Sequence, residues 1–326
     1  MKTIHFGILG PGKIANRFAS SFEHARGGKV YAVASRDEEK AKAFAATYNI
    51  DHVYTSYEDL INDPKVDVIY IATPHPFHYK QTLLCLRSGK AVICEKPLAL
   101  NYRQVNEMIQ AARTENVFLM EAMWSRFFPA TKKVLELVQS GSIGDIKYLQ
   151  ADFGFAAPLN LESRVYNMDL GGGAQLDVGI YPLFLALLLL GKPDEVKSFS
   201  QLASTGADEV TSALLSYRNG SIAHVLSSIV TDSPKQADIM GTLGRITMHT
   251  PWHKSQLITV RLNSGEVTEY PFPYPGNGFQ YQVEEVIHCL RADKKESDLM
   301  PHSLSLLMAQ VSDEIRKQGG VVYDAD

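Results

Sequence analysis

The sequence predicts an α/β protein of two domains: a doubly wound parallel sheet, then a second α/β domain built on an antiparallel sheet. Three observations predict it. The first 120 residues alternate short β-rich runs with amphipathic ones, the pattern that covers a parallel sheet with crossover helices. A glycine-rich turn follows the first of those runs directly. Beyond Phe128 the texture changes to alternating segments joined by tight-turn signals. A chain of 326 residues suits two domains at roughly 100–200 residues each.

Taken in order, Ile4–Leu9, Lys29–Ala34, Val68–Ala72, Ala91–Cys94 and Val117–Met120 read as strands. Between them, Lys13–His24, Glu38–Tyr48, Tyr57–Asn62, His78–Ser88 and Tyr102–Glu115 carry apolar residues at helical spacing. One more helix is expected over Ala130–Gln139, followed by a half-buried strand over Lys147–Phe155. Asn219-Gly220 and Asn263-Ser264-Gly265 each join two alternating runs and predict hairpins. The run Val178–Leu190 (VGIYPLFLALLLL) is too short for the roughly 20 residues of a membrane span, and it reads as a buried core helix. Helices over Gln280–Arg291 and Ser303–Gln318 close the chain, the second with Ser303 as N-cap and Gly319 as its stop. There is no internal repeat.

Composition narrows the function. With 45% hydrophobic and 21% charged residues the chain has the makeup of a folded domain protein. The net charge of −4 and the lack of a basic block argue against nucleic acid as a partner. Cys85, Cys94 and Cys289 are odd in number and widely spaced, which implies a reducing compartment and neither a disulfide framework nor a zinc site. No signal-peptide pattern opens the chain, so a cytoplasmic protein that neither spans nor binds a membrane is expected. His75 and His78 have no third ligand beside them, and no metal is expected; contact with a cofactor or helix capping suits them better.

Gly10-Pro11-Gly12-Lys13-Ile14-Ala15 matches the dinucleotide fingerprint between a strand and a helix. Gly10 permits the tight turn, Gly12 lets the backbone approach a pyrophosphate, and the helix N-terminus stabilises the anion. After the second strand comes Ser35-Arg36-Asp37. Ser35 stands where an acid would receive a ribose hydroxyl, and Arg36 suits a 2′-phosphate, which favours NADP. Asp37 leaves NAD open, since a slightly different turn would bring it to the ribose. Cys94-Glu95-Lys96-Pro97 ends the fourth long strand, where a lysine faces the ligand crevice of an open α/β sheet and the Lys-Pro bond can be cis. Asp177 and Tyr181 lie four apart at the start of the apolar helix. A tyrosine whose pKa is lowered by a neighbouring Lys⁺ can take a hydroxyl proton, with a carboxylate orienting the group.

GPGKIA, ATPHPFHYKQTLLCLRSGKAVICEKPLALN, EAMWSRFFPA and LGGGAQLDVGIYPL together resemble the Gfo/Idh/MocA family of nicotinamide oxidoreductases over essentially the whole chain. The Trp after EAM and the Tyr closing DVGIY are most similar to its dimeric dihydrodiol dehydrogenase and NADP-dependent D-xylose 1-dehydrogenase branch. The resemblance implies a Rossmann domain over residues 1–121, then a substrate-binding and dimerisation domain over 122–326 with an open, mostly antiparallel sheet, and NADP(H) bound between the two. The last helix, about 302–318, is expected to return to the first domain.

By motif, Lys96 and Tyr181 would be the catalytic pair and Asp177 would complete the site. Gly10, Pro11, Gly12, Lys13, Ile14, Ser35, Arg36, Thr73, Pro74, His78, Glu95 and Lys96 are the residues expected on the cofactor. Trp124, Phe153 or Phe155, Arg164, Trp252 and Phe279 would line a pocket for a sugar ring or cyclic diol. Gln175 interrupts the small or apolar run before Leu176, and Ala156–Asp169 departs from relatives, so the substrate is the least transferable part. A homodimer through the second sheet is expected, because a broad sheet face needs cover. Two rivals predict different residues. An NAD-dependent inositol or amino-sugar dehydrogenase would carry His in place of Tyr181 and an acid in place of Arg36. A non-catalytic cofactor-binding sensor would have no need of Lys96.

Overall fold

The computed structural model describes residues 2–326. The elements run β1 (Ile4–Leu9), α1 (Lys13–Ser20), β2 (Gly28–Ala34), α2 (Glu38–Tyr48), β3 (His52–Tyr54), α3 (Tyr57–Asn62), β4 (Val68–Ile71), α4 (His75–Arg87), β5 (Ala91–Glu95), α5 (Tyr102–Thr114) and β6 (Leu119–Ala122). They continue with α6 (Pro129–Gln139), β7 (Ile146–Gly154), α7 (Ile180–Leu190), β8 (Glu195–Leu202), β9 (Asp208–Ser216), β10 (Ile222–Ser228), β11 (Ala237–Gly241), β12 (Gly244–Met248), β13 (Leu257–Leu262), β14 (Val267–Pro271), α8 (Gln280–Arg291) and α9 (His302–Gly319).

One compact unit holds the residues up to Ala99 with Arg103–Phe127 and Tyr274–Ser305. Its six strands are ordered β3-β2-β1-β4-β5-β6 and all pair in parallel. Strands β1, β4, β5 and β6 are buried almost throughout, as expected of strands covered on both faces. The order reverses between β1 and β4, which places the ligand crevice of such a sheet at the turns after those strands. Helix α8 belongs to this unit, where the Arg291 guanidinium donates to the Lys2 and Gly27 carbonyls.

The second unit holds Leu100–Tyr102, Phe128–Pro273 and Leu306–Asp326. Its eight strands are ordered β14-β13-β12-β11-β7-β10-β9-β8, antiparallel except for the β7–β10 pair. Both predicted hairpins are present, with Gly220 and Gly265 in the left-handed backbone region. Helix α7 lies against β7 and β10 and buries its side chains from Ile180 to Leu187. The run Met168–Leu190 has the length and apolarity to cross a membrane, yet 83% of its most apolar window is buried within the protein. That burial is what a core helix shows.

The chain crosses between the units differently from a single cut at residue 121. Residues 274–305 fold with the parallel sheet, and α9 has its first turn in the first unit and its body in the second. Ser303 is not the N-cap of α9: the helix already starts at His302, whose N–H donates to the Glu296 carboxylate at 2.5 Å. The helix includes Gly319 and ends where Gly320 turns left-handed. Strands β3, β8, β11 and β12 were not among the sequence expectations, and α4 begins at His75, three residues before the predicted start.

Candidate active site

In the first unit the candidate residues lie on the turns after β1, β2, β4 and β5. Gly10 has φ +92°, and a Cβ there would lie 2.9 Å from the Thr73 side chain, so only glycine fits this turn. Gly12 is exposed at the start of α1, and a Cβ on it would meet nothing within 4 Å. Open space over a bare backbone at a helix N-terminus is a cradle that an anion fills, so the residues present fit a dinucleotide pyrophosphate. Lys13 is exposed beside it, Pro11 and Ile14 are half-buried, and Ala15 is fully buried against the sheet.

After β2, the Ser35 hydroxyl accepts the Asp37 N–H at 3.1 Å. Asp37 caps α2: its carboxylate accepts the Lys40 N–H at 3.1 Å and pairs with the Lys40 ammonium at 3.1 Å. Those bonds hold the Asp37 carboxyl below the ordinary carboxylate range, the Lys40 backbone N–H contributing most. Arg36 is exposed, with its guanidinium over the Phe77 ring at 5.9 Å.

After β4, Thr73 donates its hydroxyl to the Gln81 side chain at 2.6 Å, and Pro74 precedes α4. His75 and His78 are both buried. His78 has no exposed surface, and its two ring nitrogens face the backbone carbonyls of Pro97 and Thr73. A ring so enclosed braces the turns and presents no edge to a ligand.

After β5, the Lys96–Pro97 peptide is cis and Lys96 is buried. The turn is held from both neighbouring strands. Tyr70 on β4 donates its hydroxyl to the Glu95 carboxylate at 2.5 Å, and Glu121 on β6 accepts the Leu98 N–H at 3.0 Å. Burial pushes Glu95 and Glu121 each up to about 7. The same unit stacks Trp124 on Phe279, with ring centroids 4.6 Å apart.

The second unit carries the remaining residues. The chain enters α7 through a π-helical turn, Gln175–Gly179, so Asp177 sits on a widened turn rather than on the regular helix face expected from its spacing to Tyr181. Arg164 holds Asp177 in a two-bond fork, at 3.1 and 2.9 Å. The ring of Tyr181 lies 5.3 Å from Phe153 and 5.5 Å from His253, which stacks on Phe153 at 4.4 Å. His253 showed no ligand spacing in the sequence, and only the fold brings it to Tyr181.

Three pocket candidates are placed otherwise than expected, and the first, Phe279, has no exposed surface and backs Trp124. Trp252 is 1% exposed and donates its indole N–H to the Asp152 carbonyl at 2.7 Å, a strut between strand and loop. Phe155 packs on the buried cluster of Tyr166, Ala174 and Ile229. Asp208, Tyr323 and Arg316 were also missed. Asp208 is fully buried, accepts the Gln175 N–H and the Thr211 hydroxyl, and is raised to about 6 by burial. Tyr323 donates to the Gly172 carbonyl at 2.6 Å, and Arg316 pairs with Asp313 and Asp326. The Asp208 and Tyr323 bonds hold the glycine turn that leads to Asp177, and the Arg316–Asp326 pair holds the chain end that bears Tyr323.

The family model described as the oxidoreductase family with an NAD-binding Rossmann fold matches residues 4–123, and the GFO/IDH/MocA C-terminal domain matches residues 131–247. The chain belongs to the Gfo/Idh/MocA oxidoreductase family. It is 41% identical over 331 residues to a trans-1,2-dihydrobenzene-1,2-diol dehydrogenase of Xenopus laevis, covering 98% of each chain. It is 38% identical over 339 residues to that of Mus musculus, covering 99% of each. Among solved structures, an aldose-aldose oxidoreductase from Caulobacter crescentus shares the fold at a TM-score of 0.89 and 24% identity, covering 98% of each chain. A 3-ketoreductase from Actinomadura kijaniata, solved with NADP, aligns at a TM-score of 0.87 and 24% identity, again over 98% of each. The parallel sheet with its glycine turn is the nicotinamide-binding half of this family, and the mostly antiparallel sheet is its second half.

Proposed function

We propose that this protein is an NADP(H)-dependent dehydrogenase that oxidises a ring hydroxyl, that of a cyclic trans-dihydrodiol or of a pyranose such as D-xylose. The observation that carries the reading is its identity of 38–41% with trans-dihydrodiol dehydrogenases over nearly the whole length of both chains. When bound, the cofactor supplies the hydride-accepting ring; the chain's own residues bind, orient and handle the proton.

Gly10–Ile14 and the N-terminus of α1 hold the pyrophosphate. Arg36 and Ser35 take the 2′-phosphate, and the use of Asp37 as a helix cap supports NADP over NAD, because its carboxylate is already engaged by Lys40. Thr73, Pro74 and Glu95 would shape the turns that hold the nicotinamide end, and Lys96 would serve there.

Tyr181 accepts the proton that leaves the substrate hydroxyl, and the Lys96 ammonium favours the charge that develops. Arg164 fixes Asp177 with both carboxylate oxygens engaged, so that the carboxylate is held in one orientation to position the substrate. Phe153 and His253 wall the tyrosine, while Trp124, backed by the fully buried Phe279, supplies apolar surface from the first unit. In the reverse direction Tyr181 returns the proton.

The expected assembly is a cytosolic homodimer joined through the open face of the eight-stranded sheet. Register places Phe199, Leu214, Ile222 and Val267 on one face, and all four are exposed, Phe199 by 82%. The reading is tested by the reduction of NADP⁺ and NAD⁺ against a trans-dihydrodiol, aldopentoses, aldohexoses and inositols. Turnover of the diol or D-xylose with NADP⁺ preferred supports it; turnover confined to inositols with NAD⁺ overturns it.

A further inference from the structure

His78 lies on α4 with no exposed surface, between two backbone carbonyls. Its Nδ1 is 2.9 Å from the Pro97 oxygen and its Nε2 is 2.8 Å from the Thr73 oxygen. A carbonyl oxygen only accepts, and a neutral imidazole has a single N–H to donate. With one proton, therefore, one contact sets a ring lone pair against a carbonyl lone pair at hydrogen-bond distance. The imidazolium donates to both.

The two carbonyls belong to different turns. Thr73 follows β4 and Pro97 follows Lys96 at the end of β5, and β4 and β5 are neighbours in the sheet. The ring thus ties together the two turns at the crevice. The titratable groups around it are His75 on the same helix, with ring centroids 5.7 Å apart, Tyr70 on β4, Cys94 and Glu95 on β5, and Lys96 beyond it. Burial works against a second positive charge on the ring and outweighs the two carbonyl contacts that favour it, and with the smaller effect of the Lys96 charge it holds His78 below the ordinary imidazole range. This opposition is what makes the second proton removable.

We propose that His78 is a positioning residue that acts as a proton-dependent brace: doubly protonated, it donates to Thr73 and Pro97 together and fixes the turn that bears Lys96. With one proton it holds only one of the two turns, and Lys96 loses its set position. The inference rests on the reading of Lys96 as a catalytic group.

The test follows the ring directly. In long-range 1H–15N spectra of the protein without added cofactor, the His78 signals are those missing from His78→Gln. Both ring nitrogens are expected as N–H at acid pH, with one losing its proton as the pH rises, below the ordinary imidazole range. In the same range kcat/KM should fall about 10-fold, the effect of losing one charge-assisted hydrogen bond. His78→Gln offers an amide to one carbonyl and should sit at the lower rate with this step gone. Glu95 and Glu121 titrate nearby and remain in that variant, so the loss of the step identifies the ring.

A single protonated nitrogen at every pH, or a ring cationic at every pH, overturns the proposal. So does a titrating ring whose proton loss leaves kcat/KM unchanged. The buried histidines are His75, His78, His253 and His302. If His78→Gln fails to fold, the buried-ring signals left after assignment through His75→Gln, His253→Gln and His302→Gln still decide the protonation state. A titrating, doubly protonated ring in a protein with no oxidoreductase activity sinks the functional reading and leaves the brace standing.

Discussion

Glu121→Gln is the variant whose effect can be worked out most fully. Glutamine keeps an oxygen to accept the Leu98 N–H, now 3.0 Å from the carboxylate, but it cannot ionise. In the fold, burial raises Glu121 from 4.5 to about 7. The unfolded chain releases this proton near 4.5, so between there and pH 7 the folded state binds more protons and stability falls as pH rises. Below 4.5 the cost is absent; above 7 it is complete. At 1.36 kcal/mol per pH unit the ceiling is about 3 kcal/mol, and because Glu95 adds to the displacement, about 1–3 kcal/mol is the expected gain in the variant. For a domain of this size that is roughly 2–10 °C in Tm. The assay is thermal unfolding of wild type and variant at pH 5 and pH 8.5. A gain at pH 8.5 that shrinks to about a quarter at pH 5 is predicted. An equal offset at both, or a loss at pH 8.5, refutes the argument that the buried charge is what costs stability.

Other substitutions separate the roles assigned to individual residues. Lys96→Met should lower turnover by about 10²–10⁴-fold while NADPH affinity, read by fluorescence titration, stays near that of wild type. Arg36→Ala should weaken NADPH by about 10–100-fold and NADH far less; equal weakening contradicts the 2′-phosphate assignment. Phe199→Glu places a charge on the exposed sheet face and should shift the protein from dimer to monomer in sedimentation, with its melting temperature little changed.

The first domain was legible in the sequence because its signals are local. A strand that runs into GPGKIA needs no tertiary information to be recognised, and four of its later elements follow from apolar spacing alone. Strand β3 was not legible, since three residues, His52 to Tyr54, carry no periodicity. The second sheet was legible at its two tight turns and dim elsewhere: β8 and β11 are identified by their partners rather than by their own pattern. Residues 274–305 fold with the parallel sheet through long-range contacts such as the Leu119 N–H to Lys295 carbonyl bond, and no compositional shift announces it.

At the site, Lys96, Asp177 and Tyr181 were found from motif context. The groups that hold them were not. Tyr70, Glu121, Asp208 and His253 lie 23 to 72 positions from the residues they contact, Glu95, Leu98, Gln175 and Tyr181, and meet them only through sheet register and helix packing. Trp252 shows the converse error: a large aromatic near the end of the chain invites a place in a pocket, but its indole N–H demanded a buried acceptor and found the Asp152 carbonyl.

The central claim is that Tyr181 carries the proton in an NADP-linked oxidation of a ring hydroxyl. The most direct measurement is kcat/KM for NADP⁺ with a trans-dihydrodiol and with D-xylose, in wild type and in Tyr181→Phe, with NADPH affinity determined for both. Wild type is predicted to turn over at least one of the two, and the variant to lose about 10²–10⁴-fold in rate with cofactor binding intact. A wild type silent on both substrates, or a variant as fast as wild type, contradicts the account.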